Sequence, residues 1–257
     1  MEFIDQLKRT VVLSKTPSRI VSLVPSQTEL LVDLGLRNSI VGITKFCVHP
    51  IGLRENKAIV GGTKKVNFNK VKSLKPDVII CNKEENTEQM ILQLENIAPV
   101  WISDIATIPE SIEMIESLGE IFEVSETASR IIFKIKKEWN DFKVQFKNIP
   151  SKKVLYIIWK DPYMAAGKNT FIDALLDLNN FENIITEKEY RYPEVEIELF
   201  KSAELLLLST EPYPFKKEHI LEFQNETDAD IALVNGEYFS WYGSRLIQAF
   251  EYFKTLH

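Results

Sequence analysis

Short apolar runs without a polar interruption recur along the chain, most of them followed by a helical pattern, and they limit the fold more than any other feature. RIVSLV at 19–24, SIVGIT at 39–44, AIVGG at 58–62, DVIIC at 77–81 and VWIS at 100–103 are such runs. Between and after them, TELLVDLGL, residues 67–74, ENTEQMILQLENI and residues 108–122 carry apolar side chains at helical spacing. A strand that is apolar throughout, rather than alternating, must be covered on both faces. That is the condition of parallel sheets flanked by helices, so the fold class predicted is α/β.

The stretch 125–148, SETASRIIFKIKKEWNDFKVQFKN, breaks the alternation. Its apolar residues Ile131, Ile132, Ile135, Trp139, Phe142 and Phe146 fall on one helical face, with lysines and acids on the others. Ser125 and Glu126 suit a helix start and Pro150 ends the segment. About six turns and about 36 Å of rise follow from its length. The apolar stripe is too short for several coiled-coil heptads, so the segment reads as a strut.

Beyond it the first pattern begins again. KVLYIIW, ENIIT, ELLLLS and ADIALVN read as strands, and NTFIDALLDL, EIELFKSA, residues 218–225 and residues 244–256 as helices. FNKVKSLKPDVIICNKE lies over IELFKSAELLLLSTE with one gap, which sets Glu84 opposite Glu211. ITKFCVHP lies over ITEKEYRYP, setting His49-Pro50 against Tyr192-Pro193. The division expected is an N-terminal α/β lobe at 1–124, a connecting helix at 125–150 and a C-terminal α/β lobe at 151–257. Ligands of open α/β sheets bind outside the carboxyl ends of the strands, so the expected site is a cleft between two Rossmann-like lobes.

Composition narrows the function. A chain of 257 residues with net charge −6 lacks the basic footprint of a nucleic-acid binder. No apolar stretch is long enough for a membrane-spanning helix, so no membrane insertion is expected. Two cysteines make no disulfide framework, and the first residues, MEFIDQLKRTVVLSK, do not read as a secretory signal. No GxGxxG, Walker, HExxH or GxSxG pattern occurs.

Several loops carry residues suited to holding a ligand. Lys45 to Pro50 brings Cys47 and His49 together after a strand, and with Glu84 and Glu211 they make a candidate mixed metal set. A lone cysteine is more commonly a small buried hydrophobe, and acids at a helix start are commonly just solvated. Glu211-Pro212-Tyr213-Pro214 is stiffened by its prolines. Aromatics gather at expected loop tips of the second half, among them Trp159, Tyr163, Tyr192, Tyr238 and Trp241. Flat rings with one polar edge can wall a chelate pocket. Arg245 sits near the start of the last helix, against the dipole, so a carboxylate or an anionic ligand is expected to hold it.

RIVSLVPSQTELLVDLGL, VGITKFCVHP, VGGTKKVNFNKVKSLKPDVII, AAGKNTFIDALLDLNNFENI and YPEVEIELFKSAELLLL, taken in order, resemble the class III, helical-backbone substrate-binding proteins of ABC importers. That family carries vitamin B12, iron-siderophores, haem or metal ions. The resemblance implies two lobes, a backbone helix and little hinge motion. It makes Phe46, His49, Tyr192 and Tyr238 pocket residues, puts Thr63 and Asn82 where the B12-binding member has tryptophans, and makes Glu198 a transporter-docking carboxylate whose first-lobe counterpart is Asn69. It also implies a periplasmic location and an importer permease as partner. With no signal in this sequence, the cytoplasm is the alternative.

The function expected is therefore that of a monomeric receptor, not an enzyme, with no tightly bound cofactor and a metal ion or metal chelate as its ligand. The alternatives are a cytoplasmic cofactor- or metal-handling enzyme or metallochaperone on the same fold, and a module that recruits protein partners through its aromatic rim.

Overall fold

The computed structural model describes residues 1–257, which form two compact units. The first comprises Met1–Ile105, Pro109–Lys137 and Tyr242–Ile247, and the second Ala106–Ile108, Glu138–Trp241 and Gln248–His257. Each is built on a parallel sheet, as the apolar runs require.

The first unit opens with an antiparallel pair, β1 (Glu2–Ile4) and β2 (Thr10–Val12). These strands are exposed on alternate residues and too short to be read from the sequence. Then come β3 (Ile20–Ser22), α1 (Pro25–Asp33), β4 (Ile40–Thr44), β5 (Ala58–Gly61), α2 (Phe68–Ser73), β6 (Val78–Asn82), α3 (Glu88–Leu94), β7 (Val100–Ser103) and α4 (Ile108–Ile121). The sheet order is β5-β4-β3-β6-β7, all parallel. Every residue of β3, β6 and β7 is buried, which is why these runs show no alternation.

The long helix is α5 (Ser125–Gln145), and the boundary between the two units falls inside it, after Lys137. It ends three residues short of the stretch read from the sequence, in a turn before Pro150. Its first turns bury Ala128, Ile131, Ile132 and Ile135. Gly119 of α4 makes the α4–α5 approach possible, because a Cβ there would stand 2.6 Å from the Cβ of Ala128. Beyond the boundary, Phe142 is fully buried among the rings of Phe146, Phe250 and Phe253 at 4.6, 6.2 and 6.2 Å.

The second unit contains β8 (Lys152–Trp159), β9 (Met164–Ala165), α6 (Phe171–Leu178), β10 (Phe181–Asn183), a 3-10 turn (Ile197–Ser202), β11 (Leu205–Ser209), α7 (Lys217–Gln224), β12 (Asp230–Val234), α8 (Gly236–Ser240) and α9 (Leu246–Phe253). The order is β10-β8-β11-β12, parallel, with β9 antiparallel to β8. Setting β8 against β3, β10 against β4, β11 against β6 and β12 against β7 reproduces the neighbour order of the first sheet. The internal echo seen in the sequence is thus an echo of topology. Glu84 and Glu211 each stand two residues beyond the end of corresponding strands, β6 and β11.

Candidate functional site

In the first unit the carboxyl ends of β3, β4, β6 and β7 are tied by buried polar side chains. Asn82, the last residue of β6, accepts from the amides of Glu84 and Glu85 at 2.8 and 3.1 Å and donates to Ser103 Oγ at 3.0 Å. Asn86 accepts from the Asn82 amide at 2.8 Å and donates to Thr63 O at 2.8 Å. The two asparagines, each 2% exposed, set the turn that carries Glu84 and Glu85. Asn82 therefore organises a loop and walls no pocket.

Gln27, on the first turn of α1, donates to Ser103 Oγ and, at 3.2 Å, to the hydroxyl of Tyr242. Helix α1 starts with Pro25 after Val24, which offers no side-chain cap. Proline's fixed φ supplies the start instead, and Ser26 and Thr28 serve the polar network. Burial pushes the Tyr242 hydroxyl up, and the charge of Glu85 adds to this. Burial likewise raises the Glu85 carboxyl, opposed by the Lys64 ammonium and a hydrogen bond to Thr63 and reinforced by Glu84.

The loop after β4 divides its residues. Cys47 is fully buried, its Sγ 3.2 Å from Thr28 Oγ1 and 3.3 Å from Thr44 Oγ1, and burial raises its thiol. Its neighbour Phe46 is 49% exposed. Lys45 Nζ lies 4.9 Å from the Phe46 ring, and Gly62, which has no side chain, lets the ring come close. His49 is half-buried, and its charge acts on Glu29. No group of three or more His, Cys, Asp or Glu side chains is placed to hold a metal ion. Of the candidate set Cys47, His49, Glu84 and Glu211, the thiol is turned into the first unit, where two threonine hydroxyls lie against it.

Arg245, expected to be held by a carboxylate or by an anionic ligand, has a carboxylate on it. It is 6% exposed and grips Glu29 with two hydrogen bonds of 2.8 and 2.7 Å. The carboxylate expected to hold it is present, within the protein. Burial raises the Glu29 carboxyl, and Arg245 pulls it back down.

In the second unit Glu211 is half-buried in the turn after β11. Its carboxylate accepts from Ser240 Oγ at 2.5 Å. Gly236 lies against it, since a Cβ there would meet Ser209 Oγ at 2.3 Å and Glu211 Cγ at 2.6 Å. Tyr238 stacks on Tyr252 at 4.9 Å and Tyr192 is half-buried. The other aromatics are drawn into packing. Tyr163 meets Phe200 and Phe223 edge-on, each at 5.3 Å, and Trp159 meets Tyr213 edge-on at 5.6 Å. Trp241, only 7% exposed, closes α8 and is no loop tip. Glu198 is exposed at the second position of the 3-10 turn before β11, and Asn69 is exposed at the second position of α2 before β6.

Sequence reasoning gave no role to Gln27, Ser103 and Asn86. The signal was a polar residue closing each apolar run: Ser22, Thr44, Asn82 and Ser103 are the last residues of β3, β4, β6 and β7, all buried.

Two parallel α/β units with polar, loop-built ends and a long helix that contributes to both define a ligand-binding fold of the two-lobed, class III type. The chain belongs to the periplasmic binding protein family, whose pattern matches residues 20–227. It is 28% identical over 192 residues to an uncharacterized ABC transporter substrate-binding lipoprotein of Bacillus subtilis, a match covering 72% of this chain and 60% of that protein. It is 24% identical over 194 residues to a vitamin B12-binding protein of Vibrio cholerae, covering 74% of this chain and 70% of that one. Among solved structures, a periplasmic vitamin B12-binding protein of Vibrio cholerae superposes with a TM-score of 0.82 at 21% identity, over 93% of this chain and 96% of that one. A molybdate-binding protein of Haemophilus influenzae gives 0.83 at 17% identity, over 100% and 91%. At these identities the structural likeness is one of fold.

Proposed function

We propose that this chain is the substrate-binding receptor of an ABC-type importer, working outside the cytoplasmic membrane, and that its cargo is a metal chelate rather than a bare ion. The observation that carries this reading is Phe46. A phenylalanine 49% exposed at the carboxyl end of a strand, with an ammonium over its ring, is a wall awaiting a flat or apolar ligand body. His49 and Glu84, on the same unit, are the polar groups proposed to orient it, and Tyr192, Glu211 and Tyr238 are the ligand-binding candidates of the second unit. The relatives support the class of cargo: vitamin B12 for one, haem for a periplasmic protein of Roseiflexus sp. RS-1 that shares the fold (TM-score 0.80, 18% identity, 91% of this chain and 95% of that one). Burial of the Cys47 thiol supports a chelate over a naked soft metal. Glu198 is the residue proposed to meet the permease.

Titrating the purified chain with cyanocobalamin, haemin and ferrichrome, following intrinsic fluorescence and calorimetric heat, tests the reading. One of the three is expected to saturate the protein, and Phe46→Ala to weaken that binding by about three- to tenfold, the loss of one ring contact. Saturation by zinc or ferrous ion alone, with none of the chelates binding, would overturn it.

A further inference from the structure

The connection between β4 and β5 carries a feature that ligand capture does not use. Ile51, at its tip, is 90% exposed and Val48 is 41% exposed. Both line a shallow groove of about 430 Å³ with Gly52, Arg54, Glu55 and Ile59. Ile59 belongs to β5, the edge strand of the first sheet, so the groove reaches that edge.

The charge there is opposite to that of the whole. The protein carries −6, yet between Lys45 and Lys65 stand five cations, Lys45, Arg54, Lys57, Lys64 and Lys65, and one acid, Glu55. Arg54 makes no ion pair. Lys57 makes none either; its ammonium is lowered by burial and by the neighbouring Arg37, with no acid acting on it. Like charges that act on each other, as Lys57 and Arg37 do, without an acid between them favour an anion from outside.

We infer that this loop is a peripheral docking surface for an anionic phospholipid bilayer. Aliphatic side chains at the tip of a turn, backed by un-neutralised cations, are the chemistry of interfacial anchoring: the apolar groups enter the acyl boundary while the cations meet the headgroups. A protein partner fits less well, because a stable protein interface takes about 800 Å² from each side, and a single turn tip with two apolar side chains presents far less. The anchoring set is Val48, Ile51, Arg54 and Lys57, and the residues proposed to hold cargo lie outside it.

Co-sedimentation with vesicles tests the inference. The full chain is expected to pellet with phosphatidylcholine vesicles containing about one-third phosphatidylglycerol and to stay in the supernatant with pure phosphatidylcholine, the difference shrinking as salt is raised to about 0.5 M. Ile51→Asp, and separately Arg54→Glu with Lys57→Glu, are expected to cut the bound fraction at least about fivefold with an unchanged far-ultraviolet spectrum. In the variant Ile51→Trp, the added indole is expected to give an emission that shifts to the blue when anionic vesicles are added. Absence of pelleting with anionic vesicles overturns the inference. So does pelleting that Ile51→Asp leaves untouched, which would be charge attraction without insertion. Retention of an acidic protein by a chain that ignores vesicles would overturn it in favour of a protein partner.

Discussion

Glu85 concentrates the electrostatics of the first unit in one carboxyl. It faces Lys64, Thr63, Glu84 and Tyr242, and burial raises it above its ordinary 4.5. An acid whose folded-state value is raised binds more protons folded than unfolded across the window between the two, so its contribution to stability is present below about 4.5 and is lost as pH rises through the folded value. Glu85→Gln, which keeps the shape and removes the charge, is expected to melt higher than the parent at pH 7. The gap should close towards pH 4.5; a gap independent of pH would refute the assignment. Little at this scale was legible in the sequence. The reading found the loops and chose among their residues by chemistry type, with no means of telling which side chains turn inward. Cys47 and Phe46 are adjacent, yet one is 0% and the other 49% exposed. Asn82 was matched to a tryptophan wall and proves to be the donor and acceptor that folds its own turn. Side-chain direction at a strand end depends on neighbours far away in sequence, such as Thr28 for Cys47 and Ser103 for Asn82.

Elements were far more legible, because a covered parallel strand writes itself as an apolar run and a surface helix as a stripe. All the inner strands and α1 to α5 follow from that. The misses are elements too short to show a period: β1, β2, β9 and α8, of two to five residues. The residues 196–203 read as a helix and fold as a 3-10 turn, with no side-chain cap on Glu196. Helix packing supplies a test in which two effects oppose. Gly119→Ala should gain about 1 kcal/mol of helix propensity, but its methyl would stand 2.6 Å from the Cβ of Ala128. Overpacking of this kind costs about 1–3 kcal/mol, and the Ser125 backbone 3.4 Å away leaves little room to yield. A net loss of stability in urea is expected, with recovery in the double variant Gly119→Ala, Ala128→Gly. A stabilised single variant would show that α4 and α5 can part without cost.

On the scale of the molecule, the chain returns to its first unit late. Tyr242–Ile247 belongs to that unit although the residues on either side of it belong to the second. The sequence foresaw one connecting helix and did not foresee this return, since nothing in GEYFSWYGSR states that its last residues leave the lobe that precedes them. What fixes the segment is specific. Tyr242 receives a hydrogen bond from Gln27, the Gly243 amide donates to Ser111 Oγ at 2.9 Å, and Arg245 holds Glu29 twice. Glu29 is the point of leverage. Its carboxyl is already raised by burial despite Arg245 and His49, and Asp33 raises it further, so without the guanidinium it would be a largely buried charge stripped of its hydrogen-bonded partner. Removing one member of a buried pair costs about 3–5 kcal/mol, whereas replacing both with apolar groups is often near neutral. Arg245→Ala is therefore expected to destabilise by that amount, and Arg245→Met with Glu29→Leu by much less. Hydrogen exchange locates the effect: amides of β3, β6 and α1 should lose protection in the single variant while those of β8 and β11 keep most of theirs. Because the folded Glu29 carboxyl would rise further without Arg245, lowering the pH towards 5 should restore part of the loss by protonating it. Equal deprotection of both sheets, or a loss that deepens on acidification, would show that the Arg245–Glu29 pair does not anchor this return.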